Sequence, residues 1–336
     1  MNKLEISNKS VSAPNMQAGT SEPVQNNASS RKVLFHKLTT RYFWKDIVVN
    51  LALYLLLLDL AFVFLYPFLD MIITSLKTEE DLLDITVQWI PSKIFWQNYK
   101  IALDSLSYTS FFKNSVVVTI LATVGHVLSC SCIAYGFARY RFKGSGILFG
   151  IVVLSMIVPV EVLIFPLYMM YSRLGWLNTF LPLTVPAFFG FGLRGGLFIF
   201  LFRQFFIGLP YEIEEAARID GCGPLRTFSS IMLPMSQSSI LVSIVLSLVW
   251  HWNDFFEPSM YLFKPKVSLL PARLSGIISM FNAEKVVEDY AETEIIFNEA
   301  IVMAAIFLVI LPILIVYAFL QKRFMEGIER SGLTGQ

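Results

Sequence analysis

The sequence is poor in charged residues. Only 15% of its 336 residues are Asp, Glu, Lys or Arg. Soluble domains carry about 25%. Because 55% of the residues are hydrophobic, the composition predicts an integral membrane protein rather than a soluble enzyme. The net charge of +1 gives no basis for a nucleic-acid partner.

Patterns that mark catalytic, metal and nucleotide sites are also missing. No Gly-Lys pair occurs in the sequence, so the chain has no P-loop and we expect no ATP hydrolysis by it. The three His residues show no metal spacing, and no Ser/His/Asp, H-E-x-x-H or paired-Asp pattern is present. The three cysteines favour inert thiols over a disulfide framework. We therefore predict no catalytic residue, no metal and no cofactor bound by this chain.

The chain does contain six long apolar runs. A helix needs about 20 residues to cross the hydrocarbon of a bilayer. The six predicted spans cover about residues 47–73, 115–138, 146–170, 181–202, 240–256 and 300–320. The predicted fold class is all-α, a polytopic membrane protein with six transmembrane helices.

Basic residues cluster in alternate connections between these runs. They follow the second, fourth and sixth runs: Arg139, Arg141, Lys143, Arg203, Lys322 and Arg323. The positive-inside rule places these flanks, and both termini, in the cytoplasm. Loops 74–114, 171–180 and 257–299 show no basic excess and are predicted to face outward. The even number of spans agrees with this orientation.

Three domains are predicted. Residues 1–45 form a cytoplasmic extension, in which 1–30 are disordered for lack of apolar residues and the remainder is basic and aromatic, suited to a lipid surface. No apolar run follows a basic start, so the extension is not a signal peptide. Residues 46–326 form the membrane domain, and 327–336 form a cytoplasmic tail.

The stretch 210–234 is a polar island between two apolar runs. Its opening proline and the acidic residues after it suit the first turn of a helix. Gly221 is a natural helix stop, because glycine adopts the left-handed conformation without strain. Gly223-Pro224 then turns the chain and begins a second helix that should end near Pro234. The stretch predicts a helix, a glycine elbow and a second helix at the membrane surface.

The same stretch resembles the EAA loop of ABC importer permeases. It matches that pattern at every fixed position: Glu215-Ala216-Ala217, Gly221, Ile231 and Leu233-Pro234. Over residues 47–330 the chain is similar to the carbohydrate-importer branch, and to the maltose-type small permease in particular. The resemblance implies that the loop couples to a separate ATPase through Glu214, Glu215, Ala216, Ala217, Asp220, Gly221, Ile231, Leu233 and Pro234.

The resemblance also implies a set of partners. These are a second, similar but not identical permease, an ABC ATPase dimer that binds ATP and Mg, an extracytoplasmic solute-binding protein that docks on the outer loops, and a saccharide substrate. The protein would lie among the lipids of a bacterial cytoplasmic (inner) membrane. From another functional class, a secondary transporter driven by an ion gradient is the alternative. It would need paired intramembrane carboxylates and internal repeats, and no convincing repeat is found.

Polar residues inside the spans are candidates for the substrate pathway, because charge in a span is costly unless it faces a cavity or a partner. The segment from Trp250 to Phe256 resembles the WND segment of the same family. The pathway set is Glu161, Arg194, Trp252, Asn253 and Asp254. For the two tryptophans, an interfacial belt and a sugar-stacking role stay open. Asp59 is expected to bond within the bundle.

Two interpretations of Arg194 also stay open. It could form a buried ion pair with Glu161 between the third and fourth spans, which we favour. Its planar fork of donors could instead bind the carboxylate of an acidic saccharide.

Glycine spacing around Arg194 matches a motif of another protein class. Gly190-x-Gly192-x-x-Gly195 fits the dinucleotide fingerprint, but no strand precedes it and it lies inside an apolar run. It predicts close helix packing or a locally irregular helix, as do the small-xxx-small pairs Gly146/Gly150 and Gly192/Gly196. His126 is expected to be a hydrogen-bonded packing residue.

Overall fold

The structure is a computed structural model that describes residues 41–192, 194–264, 266–284 and 298–333. Within those ranges every regular element is helical, which confirms the predicted all-α class. The α-helices in chain order are α1 (Arg41–Ser75), α2 (Glu79–Leu83), α3 (Gln97–Leu106), α4 (Tyr108–Arg139), α5 (Ser145–Ser155), α6 (Val160–Arg173), α7 (Leu181–Thr184), α8 (Gly195–Gly208), α9 (Glu212–Ile219), α10 (Pro224–Thr227), α11 (Leu233–Met235), α12 (Gln237–Asn253), α13 (Phe256–Tyr261), α14 (Leu270–Glu284) and α15 (Glu299–Leu333).

Several predictions fall on other residues. The segment 1–30 that was predicted to be disordered, most of the basic flank after it, residues 285–297 of the predicted outer loop and the last three residues of the tail lie outside the described residues. The rest of the predicted tail continues the last helix, because α15 runs to Leu333.

The chain divides into two units, residues 1–66 and 67–336. The division falls inside the first predicted span, where Pro67 interrupts the hydrogen bonding of α1.

Three helices are long and apolar enough to cross a membrane singly: Ile47–Ser75 of α1, Tyr108–Arg139 and Glu299–Glu326. Three further candidates are bent pairs, α5 with α6, α8 with α9, and Pro224–Met235 with α12. If each pair counts as one span, the total is the six that the sequence predicts.

The third and fourth predicted spans are both interrupted in the structure. Between α5 and α6 the axis turns by 102° at residues 156–159. Pro159 is extended there and cannot continue a helix. In the fourth, α7 passes into a 3₁₀-helix, Val185–Phe189, and regular structure resumes only at Gly195. The locally irregular helix expected from the glycine pattern is therefore confirmed.

Helix α4 forms the centre of the second unit, where it packs against α8, α12 and the 3₁₀-helix. Small residues allow this approach. A Cβ atom on Gly125 would lie 2.9 Å from the Phe188 ring. Helix α12 in turn packs against α15. One cluster of buried apolar side chains joins α4 and α12 to α15, and a second joins them to α8. The two glycines at 146 and 150, expected to pack closely, meet no atom within 4 Å of a Cβ.

Candidate functional site

The elbow between α9 and α10 has the predicted backbone. Gly221 has a φ of +79°, which confirms the left-handed helix stop. The Cys222 amide donates to the Ala217 carbonyl at 2.9 Å, and the Gly221 amide to Arg218 at 3.1 Å, so both helix-end carbonyls are satisfied. Gly223 is extended, and Pro224 then begins the second arm.

The second arm is helical from Pro224 to Met235 but not uniformly so. Its middle is a π-helix, Phe228–Met232, in which each turn holds an extra residue. The arm ends at Ser236, whose hydroxyl donates to the Leu233 carbonyl at 2.7 Å. The predicted end near Pro234 therefore agrees with the structure, whereas the π turn was not predicted.

One buried ion pair joins the elbow to the central helix. Arg139, the last residue of α4, places its Nε 3.2 Å from Oε1 of Glu214, and both side chains are only 5% exposed. The guanidinium also donates to the Leu209 carbonyl at 2.8 Å and lies 5.7 Å from the centre of the Tyr211 ring. Sequence reasoning assigned Arg139 to the orientation signal and missed this contact.

This pair places one of the predicted coupling residues in the interior. Glu214 is turned inward against Arg139, so its carboxylate is not on the outer surface of the elbow. The remaining predicted coupling residues differ in exposure. Glu215, Ala216, Asp220, Gly221 and Pro234 are exposed, Ile231 and Leu233 are half-buried, and Ala217 is buried.

Two large apolar side chains stand out at the tip of the elbow. Ile219 is 86% exposed and Leu225 is 79% exposed, one on each side of Gly221. They rise from a surface that also carries Glu215 and Arg218. Neither was predicted as a site residue, although two apolar residues flanking the glycine of a polar loop were visible in the sequence.

The break in the fourth span carries Arg194. Its φ of +61° is left-handed, which is uncommon for a residue other than glycine. Its guanidinium lies 4.6 Å from the centre of the Trp250 ring, and the residue is exposed. Gly195 follows immediately, where a Cβ atom would collide with the Gly190 carbonyl oxygen.

The predicted ion pair between Arg194 and Glu161 is wrong. Among the residues that the structure describes, no carboxylate oxygen lies within 4.0 Å of the Arg194 guanidinium. Glu161 is exposed in the first turn of α6, where its charge suits the positive end of the helix. Glu161 follows a 102° turn of the chain, so it does not lie where a straight third span would place it.

The WND segment divides into buried and exposed parts. Trp252 is 5% exposed, its indole N–H donates to the Val309 carbonyl at 2.9 Å, and its ring meets Phe112 edge-on, so it packs in the core instead of lying in a belt or on an open pathway wall. Asn253 is exposed and donates to the Val249 carbonyl. Asp254 accepts from the amides of Phe256 and Glu257 at the start of α13.

Beside Trp252, His251 contacts the other buried histidine. Its Nε2 lies 3.2 Å from Nδ1 of His126, and the two rings stack at 5.2 Å. The expectation that His126 is a bonded packing residue is confirmed by this contact between α4 and α12.

Similar proteins agree with the motif. A family model described as "Binding-protein-dependent transport system inner membrane component" matches residues 129–330. The arabinooligosaccharides transport system permease protein AraQ of Halalkalibacterium halodurans is 30% identical over 82% of this chain and 93% of its own length. AraQ of Bacillus subtilis is 29% identical over 86% and 97%. The sn-glycerol-3-phosphate permease protein UgpE of Yersinia enterocolitica is 30% identical over 80% and 91%.

A solved structure supports the fold. One chain of a bacterial ABC transporter involved in the import of the acidic polysaccharide alginate matches with a TM-score of 0.70 and 22% identity, over 85% of this chain and 98% of that one. The matched family segment contains the elbow, the break in the fourth span and the Arg139–Glu214 pair. The chain belongs to the family of binding-protein-dependent transport system inner membrane components.

Proposed function

We propose that this chain is one of two permease subunits that together form the pathway of an ABC importer for an oligosaccharide. Two of the similar proteins are named for arabinooligosaccharides, which supports a saccharide as the substrate. A third is named for sn-glycerol 3-phosphate and the structural neighbour for an acidic polysaccharide, so an anionic substrate is compatible with the same fold. The chain itself carries no P-loop, and a separate ATPase dimer would bind ATP and Mg.

The exposed tip of the elbow carries the proposal. Ile219 and Leu225 are large apolar residues whose exposure to water is unfavourable, and they protrude from a charged surface. Such a tip fits into a cleft on a protein partner, because burying an aliphatic side chain contributes about 1.5–3 kcal/mol. We assign that cleft to the ATPase, with Glu215 and Arg218 at its rim.

The buried ion pair supplies a route from the elbow into the membrane domain. Arg139 ends α4, and Glu214 lies in the first turn of α9. A displacement of α9 by the ATPase would therefore be transmitted directly to α4, on which α8 and α12 pack. ATP binding would move the elbow and change the access of the pathway from one side to the other.

The remaining partners follow from the predicted orientation. A second, non-identical permease would complete the pathway, and a solute-binding protein would dock on loops 74–114 and 257–299. Both termini and the elbow would face the cytoplasm of a bacterial cell. Cysteines introduced at Ser107 and Lys143, in a chain with Cys132 and Cys222 replaced by serine, test this orientation. A membrane-impermeant thiol reagent should label residue 107 from outside and not residue 143; the reverse result would invert the topology.

Matched charge insertions test the coupling surface. Ile219→Glu should prevent co-purification of the ATPase, because it places a charge in the proposed cleft. Ile85→Glu is the control, since Ile85 is 87% exposed against 86% for Ile219 but lies on a predicted outer loop. Both variants should insert and fold. Retention of the ATPase by the Ile219 variant would remove the elbow tip from the interface.

Two further variants test separately the side-chain contact with the ATPase and the backbone conformation of the elbow. Glu215→Lys reverses an exposed charge, whereas Gly221→Val forces a branched residue into a left-handed conformation, which costs about 1–3 kcal/mol. Each should leave insertion intact and abolish substrate-stimulated ATP hydrolysis and uptake. Normal uptake by both would contradict the proposed mechanism.

A further inference from the structure

The proposed coupling mechanism assigns no role to Arg194. We propose that Arg194, held over Trp250 at the break in the fourth span, is a binding site for a carboxylate group of an acidic saccharide. The inference rests on the proposed function and deepens it, because it names the chemical class of the substrate. It concerns which sugars pass, whereas the elbow concerns how ATP drives them.

The side chain is fixed in place although it is exposed. The left-handed backbone of Arg194 ends the irregular segment, and its carbonyl accepts from the amides of Leu197 at 3.0 Å and Phe198 at 3.3 Å. Its guanidinium lies on Trp250, and that ring packs against Phe198 at 5.6 Å. A cation held over an indole face keeps the edges of its fork free for hydrogen bonds in its own plane.

Two of the other arginines, Arg139 and Arg273, find polar partners within the chain, whereas for Arg203, as for Arg194, the described residues provide a ring contact. Arg139 meets Glu214 and a carbonyl, and Arg273 donates to the Ser105 carbonyl at 3.3 Å. For Arg194 the ring contact is the one interaction that the described residues provide. A guanidinium at membrane depth is costly unless it faces a water-filled cavity or an opposite charge. An arginine fork is best matched by a carboxylate, which accepts two parallel hydrogen bonds.

The break itself also favours an anion. Helix α8 begins at Gly195 inside the fourth span, so its positive end points into the break. Broken membrane helices commonly direct this end at anionic groups of a substrate. His126 also borders the break, because the residue is only 1% exposed and its Nε2 lies 3.6 Å from where a Cβ on Gly195 would stand.

The test compares two sugars that differ at C6 of each ring, where one carries a carboxylate and the other a hydroxymethyl group. Trigalacturonate and galactotriose have the same ring skeleton, and only the first carries carboxylates. The complete complex, with second permease, ATPase and binding protein, is reconstituted in liposomes for ATP-driven uptake. The same complex without the binding protein is melted with each probe to measure binding directly. We expect wild-type protein to prefer trigalacturonate in both measurements.

Three variants sharpen the comparison. Arg194→Gln should lower uptake and binding of trigalacturonate about ten- to a hundredfold, the usual value of hydrogen bonds to a charged group, and leave galactotriose unchanged. Arg194→Lys should bind trigalacturonate less tightly than the wild type and more tightly than Arg194→Gln, because lysine keeps the charge and loses the fork of donors. Arg203→Gln is the control. Arg203 lies on the same helix and over the Phe149 ring at 4.0 Å, so its loss should not change the ratio between the probes.

Each outcome decides between the hypotheses. A wild-type complex that does not distinguish the probes, or binds neither, overturns the inference, as does inorganic phosphate that competes as well as trigalacturonate. If Arg194→Gln loses both probes equally, or the permease pair separates, Arg194 pairs with a protein carboxylate instead. If it does not fold, the ratio for Arg194→Lys decides. Arg194-dependent binding without ATP-driven uptake of either sugar would leave the site standing and contradict the proposed function.

Discussion

Arg139 and Arg194 are both arginines at the end of a helix of the same domain, and the chain treats them in opposite ways. Arg139 is enclosed, with a carboxylate 3.2 Å away and a carbonyl to receive its second donor. Arg194 is exposed, rests on an indole, and meets no carboxylate in the described part of the chain. An arginine whose charge is paired inside the fold transmits position, whereas one whose donors are left free is suited to recognise a ligand.

The first prediction breaks the enclosed pair. Arg139→Ala leaves the Glu214 carboxylate buried without its counter-charge, so we expect a loss of about 3–5 kcal/mol in the free energy of unfolding. Unfolding of the purified permease in mixed detergent micelles measures it. Glu215→Gln, one residue away and exposed, should change stability by less than about 0.5 kcal/mol.

A double variant then tests whether stability depends on the ion pair or on the volume that the two side chains fill. Arg139→Met with Glu214→Leu removes both charges and should recover most of the stability, because paired buried charges contribute little net stabilisation. It should still lose coupling, as the two helices would no longer be held at one point. Additive losses in the double variant would contradict the ion pair.

The second prediction concerns the backbone at the break. Gly195→Ala would drive a methyl group into the Gly190 carbonyl, and overpacking of this kind costs about 1–3 kcal/mol. Transport should fall with stability because Arg194 is displaced. Gly208→Ala in the same helix meets nothing within 4 Å and should be neutral or slightly stabilising. Equal melting temperatures for the two variants would show that the break tolerates a side chain.

The third prediction concerns Trp252, the buried neighbour of the exposed site. Trp252→Phe keeps most of the packing against Phe112 but removes the hydrogen bond to the Val309 carbonyl. The expected loss is about 0.5–1.5 kcal/mol, with no change in the preference between charged and neutral sugars. A changed preference would return Trp252 to the substrate pathway.

The smallest effect on stability is expected for substitution of Arg194. Arg194→Gln should change the free energy of unfolding by less than about 0.5 kcal/mol, because the residue is exposed and makes no ion pair within the described chain. Thermal melting of the assembled complex measures this. A loss as large as that of Arg139→Ala would mean that Arg194 is also a structural residue.

The features that could be predicted are those that residues close together in the sequence determine. The elbow was found because glycine, proline and acidic residues determine helix ends within a few positions, and Gly221 has the expected conformation. Apolar run length gave the number of spans. The family membership that the motif implied is confirmed, and with it the ion-gradient alternative is wrong.

Contacts between distant segments could not be predicted. Nothing near Glu214 in the sequence indicates that Arg139 lies beside it, so Glu214 was predicted as an ATPase-coupling residue without its buried partner. The Arg194–Glu161 pair failed for a related reason. The chain bends by 102° before Glu161, and apolar run length does not reveal such a bend. The contact between His126 and His251 was likewise invisible, because each histidine lies alone in an apolar run.

The bend between α5 and α6 has a consequence for biogenesis. Helix α5 has 11 residues and α6 has 14, or about 16 and 21 Å at 1.5 Å per residue, and the bilayer hydrocarbon is about 30 Å thick. Neither helix can cross alone, so the insertion machinery must accept residues 145–173 as one unit. A nascent chain released at residue 158 should therefore leave α5 at the interface, and glycosylation or protease mapping of such truncations would detect it.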